Sequence, residues 1–376
     1  MVYPFLPVFG RGLGVDLQLL SLAITIRSTS GIFGPFLASV GDSRGRKFGM
    51  LLGVLLFTLS ALLMVFWPSY WVFVLSLVLG YMGNFVFMPS MQAFVGDRVP
   101  YEQRGRVLGL IEVGWSLAFI IGVPVMGFLI GRSGWLAPFP WLVGMGAAAI
   151  LALMILLPND PPVSAERPGV LKNLGAVARY GPAQAGILMA MAMSSSNEMI
   201  NLTFGTWLEQ SFQVKIAALA AASFIIGASE LSGEVLVTGV VDRLGKRRAV
   251  LMGLVGNMLA ALALPLLGRS LTGALVGLFF IYFTFEFMIV SSIPLMTEVI
   301  PRYRATLMSI FIAGLSIGRA LGALIVPFLY RSDTALGAPP SILPVMLSVV
   351  FLNLLAAAAL RHVRVASSAG PELLPG

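Results

Sequence analysis

Eleven apolar runs, each long enough to cross a bilayer, set the terms for this chain: 18–40, 48–67, 71–94, 107–131, 136–157, 184–208, 216–241, 249–268, 271–297, 305–330 and 341–361. About 20 apolar residues cover the roughly 30 Å of hydrocarbon when coiled as a helix. Within lipid every backbone polar group must be satisfied by the chain itself, which leaves only helices and closed barrels. The runs are too long and too uniformly apolar for barrel strands, which alternate, so all eleven are expected to be helices. With 58% hydrophobic and 11% charged residues the chain cannot coat a water-facing surface, which excludes a soluble enzyme and a disordered segment. The absence of cysteine excludes a disulfide scaffold.

The formal net charge of +8 is distributed by loop. Loops near 44–47, 98–106, 167–179, 243–248, 302–304 and 361–364 hold seventeen of the 24 Lys and Arg, whereas the opposite loops hold five. Arg27 and Arg319 lie inside spans. The positive-inside rule puts the rich loops in the cytoplasm, including the C-terminus, and accounts for the charge without a nucleic-acid partner. Met1 to Phe9 forms a further apolar run on the opposite side, reaching only about 14 Å as a helix. It lacks the basic start and small-residue cleavage site of a secretory signal. The expectation is the second half of a first span whose beginning is missing, with the reading frame continuing upstream.

The chain also resembles itself at an offset of 200 residues. Asp42-Ser43-Arg44-Gly45-Arg46-Lys47 stands between the runs at 18–40 and 48–67, and Asp242-Arg243-Leu244-Gly245-Lys246-Arg247 between those at 216–241 and 249–268. One residue out of that register, Asp97-Arg98-Val99-Pro100 is matched by Glu298-Val299-Ile300-Pro301. Both copies fall on the same side, so the repeat is parallel and each unit needs an even number of spans. Two six-helix bundles follow, 1–157 with a truncated first helix and 184–362. A Pro-rich cytoplasmic linker at 158–183 joins them, and a cytoplasmic tail occupies 363–376. Parallel six-helix halves are one building scheme of secondary transporters, with the substrate site at the midplane.

The doubled loop resembles the signature of the major facilitator superfamily, Asp-Arg-x-Gly-Arg-Arg/Lys between the second and third helices. The likeness covers nearly the whole chain. Phe285-Glu286-Phe287 and Gly318-Arg319-Ala320-Leu321-Gly322 are similar to the drug-efflux-like, drug/proton antiporter branch of bacterial permeases. The resemblance implies a pair of six-helix bundles in the inner membrane, acting as a monomer on a small organic solute and protons without a cofactor. It also implies a gate: Asp42 pairs with the start of the helix at 305–330, Asp242 with that at 107–131, and Arg46, Arg243 and Lys246 strengthen the latch. Gly45 and Gly245 supply a backbone conformation costly to other residues. For Lys47, Arg247 and Arg248 the expectation is only a topology-setting charge. The chain departs from the family pattern at Ala38 and Thr238, where Gly is usual. It has no Arg in the fourth helix and offers only Gly122-Val123-Pro124 and Gly127 in the fifth.

An ionisable residue at mid-bilayer costs several kcal/mol and normally faces the bundle interior (about 3 kcal/mol on insertion scales). The third, sixth, ninth and twelfth helices carry none between their ends, as expected of lipid-facing helices. The others carry Arg27, Glu112, Glu198, Glu230 and Glu234, Glu286 and Arg319. Glu198, Glu286 and Arg319 lie about 16 to 21 Å from their cytoplasmic ends, near mid-depth. Glu230 and Glu234 share a helix face. Either one of them holds a proton near neutrality, so that proton and substrate compete, or Glu234 forms a static pair with Arg319. Arg27 either snorkels outward, anchors an anionic substrate or pairs with a carboxylate. Asn84, Asn197, Asn201, Trp115 and Trp207 are further candidates for the cavity wall.

Rival classes fare worse. Gly131-Arg132-Ser133-Gly134 matches an intramembrane serine pattern, but the only histidine, His362, falls at the other membrane face. No HExxH, Cys/His cluster or Walker sequence is present, so neither a catalytic metal nor ATP-driven pumping within the chain is indicated. The expectation is a secondary active transporter, coupled to protons and directed outward. A symporter or uniporter of the same fold, and a non-transporting receptor or scaffold, are the alternatives.

Overall fold

The computed structural model describes residues 3–34, 36–37, 44–98, 114, 117–158, 177, 179–300, 304–335 and 341–364. The side chains of 96, 97, 119, 217, 218, 238, 242, 304, 305 and 331–335 are outside that description. All regular structure among the described residues is helical. In chain order the helices are α1 (Leu6–Leu13), α2 (Leu17–Ser30), α3 (Arg46–Phe66), α4 (Tyr70–Arg98), α5 (Val123–Ser133), α6 (Pro138–Leu156), α7 (Gly181–Phe212), α8 (Ile216–Leu244), α9 (Lys246–Leu267), α10 (Leu271–Met296), α11 (Arg304–Ala335) and α12 (Leu343–His362).

Eight of them are long and apolar enough to cross a membrane: α3, α4, α6 and α8 to α12. The eleven expected spans are therefore not matched one for one, and each difference has a local origin. In α7, Ser194-Ser195-Ser196-Asn197-Glu198 and Asn201 lower the apolar content of the middle. The run at 107–131 lies partly outside the described residues, and what is seen of it is a π-helical turn at Ala118–Gly122 leading into α5. The run at 18–40 is described at 18–34 and 36–37, and its helix is bent by 120° from the one before it, the pair counting as a ninth candidate if taken as one span. Gly14, left-handed at φ 68°, ends α1, and Asp16 starts α2 by accepting the Leu19 amide at 3.0 Å.

The chain forms two compact units, Met1–Glu166 with Phe204–Gly227, and Arg167–Thr203 with Ala228–Gly376. In lipid, helices gain little from hiding apolar surface from one another, so close packing of small residues carries the contact. In the first unit, α3 crosses α4 where a β-carbon on Gly53 would stand 2.7 Å from the Gly83 carbonyl oxygen. The Ser76 hydroxyl donates to the Ser60 carbonyl at 2.6 Å nearby. The second unit repeats this at offset 200: a β-carbon on Gly253 of α9 would lie 2.9 Å from the Met288 nitrogen of α10. There the tie is polar. Asn257 donates to the Ile281 carbonyl at 2.9 Å and the Thr284 hydroxyl at 3.0 Å, and Asn353 of α12 donates to Asn257 at 2.8 Å. The second unit's core joins Met189 and Met193 of α7 to Phe285 and Met288 of α10, Phe311 of α11 and Ala356 of α12. Trp141, Met145, Leu151 and Ile155 of α6 are exposed, as suits a helix against lipid.

Candidate functional site

The doubled loop is built by two glycines. Gly45 and Gly245 precede α3 and α9 at φ 108° and φ 83°, a region that side-chain-bearing residues avoid. The turn is tight, so the basic residues that follow are delivered to the next helix ends. Lys47 Nζ donates to the carbonyls of Met154 and Leu157 at 2.9 and 2.7 Å, closing the C-terminus of α6. Its repeat counterpart Arg247 donates through Nη2 to the Arg361 carbonyl at 3.1 Å, at the end of α12. Cations at helix C-termini meet both the orphan carbonyls and the negative end of the dipole. This role was not legible in the loop, because the receiving carbonyls lie more than a hundred residues away. Lys246 pairs with Glu298, joining the two matched motifs of the second unit. Arg46 is buried, Arg44 lies over the Phe48 ring and Arg243 is exposed. Asp42 and the side chain of Asp242 lie outside the described residues, as do Glu112, Trp115, Ala38 and the side chains of Asp97 and Thr238.

The mid-helix acids of the second unit converge. Gly233 sits between Glu230 and Glu234 on α8, and a β-carbon there would be 3.0 Å from Glu286 Cβ and 2.9 Å from the Phe283 carbonyl of α10. The absence of a side chain thus lets the acidic turn of α8 press onto α10 beside its own carboxylate. Glu230 interacts electrostatically with Glu234 and with Arg319 of α11. Oxygen Oε2 of Glu230 is buried and accepts no hydrogen bond from the described residues. Arg319 follows Gly318, and Gly318 and Gly322 seat α11 on the α7 backbone at Met191 and Ser195. One turn further along α7, Glu198 is 1% exposed and Asn197 is 8% exposed. The Tyr282 hydroxyl of α10 donates to Asn201 Oδ1 of α7 at 2.6 Å. The tyrosine was missed in the sequence, although its spacing four residues before Glu286 marks the same helix face.

The first unit holds a different arrangement. The Arg27 guanidinium of α2 stacks 4.7 Å from the Tyr81 ring centroid and 5.5 Å from that of Tyr3. Cation–π contacts of this kind gain strength when desolvated. Arg11 and Glu209 form a 2.6 Å ion pair, and beside it Gly205 lies against the Pro4 and Tyr3 carbonyls. Trp207 is buried against Phe212, while Asn84 is exposed.

Comparison with known proteins gives a consistent picture. The family model described as Major Facilitator Superfamily matches residues 1–323 and 186–374. The uncharacterized MFS-type transporter YwfA of Bacillus subtilis is 28% identical over 70% of this chain and 65% of its own length. The multi-drug resistance efflux pump PmrA of Streptococcus pneumoniae is 31% identical over 48% of this chain and 46% of its own. The match thus spans just under two thirds of the first relative and less than half of the second. A crystal structure of a D-xylose-proton symporter superposes with a TM-score of 0.74 at 17% identity, covering 94% of this chain and 91% of that one, a likeness of fold.

Proposed function

This chain belongs to the Major Facilitator Superfamily, and we propose that it exports a small amphipathic or cationic organic solute across the inner membrane in exchange for protons. That it is a multi-pass membrane transporter and not an enzyme follows from the family. Coupling to protons is supported above all by Glu286 packing against the α8 turn that carries Glu230 and Glu234, with Arg319 in electrostatic reach of Glu230. Carboxylates so close in a low dielectric do not all ionise together, so a proton and a cationic solute compete for the same charge. Export is favoured by the likeness to an efflux pump.

The doubled loop is proposed as the gate of alternating access, with Asp42 and Asp242 each capping a helix start in the opposite half. In this scheme Lys47 and Arg247 brace α6 and α12 while the acids engage and release. The deciding experiment is uptake and release of ethidium and a set of uncharged and anionic solutes by proteoliposomes, with and without an imposed pH gradient. Gradient-driven movement of the cation is expected. Equal movement without the gradient, or movement of none of the panel, would count against proton-coupled export.

A further inference from the structure

The bond between Tyr282 and Asn201 fixes a register that reaches one turn further, to Asn197 and Glu286. Short connections at 213–215, 245 and 268–270 reverse the chain three times between α7 and α10, so the two helices run in opposite directions. From the bond at 2.6 Å, four residues back on α7 is Asn197 and four residues forward on α10 is Glu286. Residues four apart stack on one helix face, so both moves are of about 6 Å along the same direction. The shared packing of Met193 and Met189 with Phe285 and Met288 continues this register into the core. Asn197 is 8% exposed, and its Oδ1 is buried with no hydrogen-bond donor among the described residues. A buried amide oxygen left without a donor has lost its hydrogen bonds to water and is costly. A donor brought to this oxygen in another state of the molecule would relieve that cost.

We propose that Asn197 is a positioning residue for proton coupling, its amide oxygen accepting the O–H of Glu286 when Glu286 is protonated. The inference rests on the proton-coupled reading above and adds the acceptor that detects the proton. Other groups act on Glu286 as well. Glu230 and Glu234 flank the Gly233 contact on α8, Glu198 follows Asn197 on α7, Arg319 lies on α11 within reach of Glu230, and Tyr282 is on α10 itself. Along their middles, α9 and α12 contribute no charged group. The protonated acid gains a hydrogen bond at Asn197. The ionised acid meets an oxygen unless the amide turns its Nδ2 toward it. A proton arriving at Glu286 is thereby converted into a change in the α7–α10 contact.

The test needs no transported solute. Infrared difference spectra of the whole chain in lipid nanodiscs, recorded across pH, give a carboxylic C=O band for Glu286, identified by its loss in Glu286→Gln. Asn197→Leu, similar in size and without an acceptor, is expected to move the midpoint of that band toward acid by about one pH unit. Asn197→Asp, which adds a neighbouring carboxylate, moves it toward alkali by at least as much. Tyr282→Phe removes only the hydroxyl that sets the register, and shifts the midpoint acidward by less. A purely packing role for Asn197 changes thermal stability in these variants without opposite shifts of the midpoint. Unmoved or same-direction midpoints in the two Asn197 variants, with the Glu286 band intact, overturn the role of Asn197 and leave proton coupling standing. No band lost in Glu286→Gln overturns Glu286 as the coupling acid, and the present inference with it.

Discussion

The two compact units have kept the same packing and parted in their charges. Gly53 and Gly253 make the same close helix crossing, and Lys47 and Arg247 close the same helix ends, 200 residues apart. The first unit places the Arg27 guanidinium between two tyrosine rings, whereas the second sets Glu286 against the turn of α8 that carries Glu230 and Glu234, with Arg319 in electrostatic reach of Glu230. Packing positions carry the fold and constrain both copies alike. Positions for chemistry are free to differ once the helices are in place. On the proposed function, the first unit holds its charge throughout the cycle and the second takes up and releases protons.

Disturbing the shared packing should have the largest effect and should be even-handed. Gly53→Leu and Gly253→Leu each drive a side chain into the partner helix, at a cost of about 3 kcal/mol or more. Both variants should lose the monodisperse peak on size exclusion. Survival of one alone would break the equivalence of the units. Next come the helix-end caps. Lys47→Ala removes two hydrogen bonds and should cost about 1–2 kcal/mol, Arg247→Ala about half as much, read by thermal unfolding in detergent. Equal losses would show that the dipole contributes more than the number of bonds. Smallest is the ion pair between Arg11 and Glu209, whose side chains are 60% and 26% exposed. Arg11→Ala should change stability by less than about 1 kcal/mol, and the change should vanish in high salt.

The helical, membrane-spanning character and the internal repeat were legible because both are properties of local pattern. Long apolar runs need no partner to be recognised, and Gly45 and Gly245 announce their turns because few residues tolerate that backbone. The helix of residues 181–212 was legible as a span carrying Glu198, Asn197 and Asn201, but not how far these and its serines lower its apolar content below that of the eight candidate spans. The site was legible as a set of charges but not as an arrangement. That Glu286 meets the turn between Glu230 and Glu234 depends on Gly233, a contact between helices with no signal in either alone. The tyrosines around Arg27, the Tyr282 bond to Asn201 and the Arg11–Glu209 pair are likewise tertiary. The last joins residues 198 positions apart.

The division of labour between the units is tested most directly by proton movement. Proteoliposomes holding a pH-sensitive dye, given an ethidium gradient, should show coupled proton flux for the unaltered chain and for Arg27→Gln, whatever the latter does to the transport rate. Glu286→Gln should abolish that proton flux, by at least about tenfold, if each carboxylate-bound proton is worth 1.4 kcal/mol or more to the coupled state. Proton flux that persists in Glu286→Gln and disappears in Arg27→Gln would assign the titrating role to the wrong unit and contradict the account.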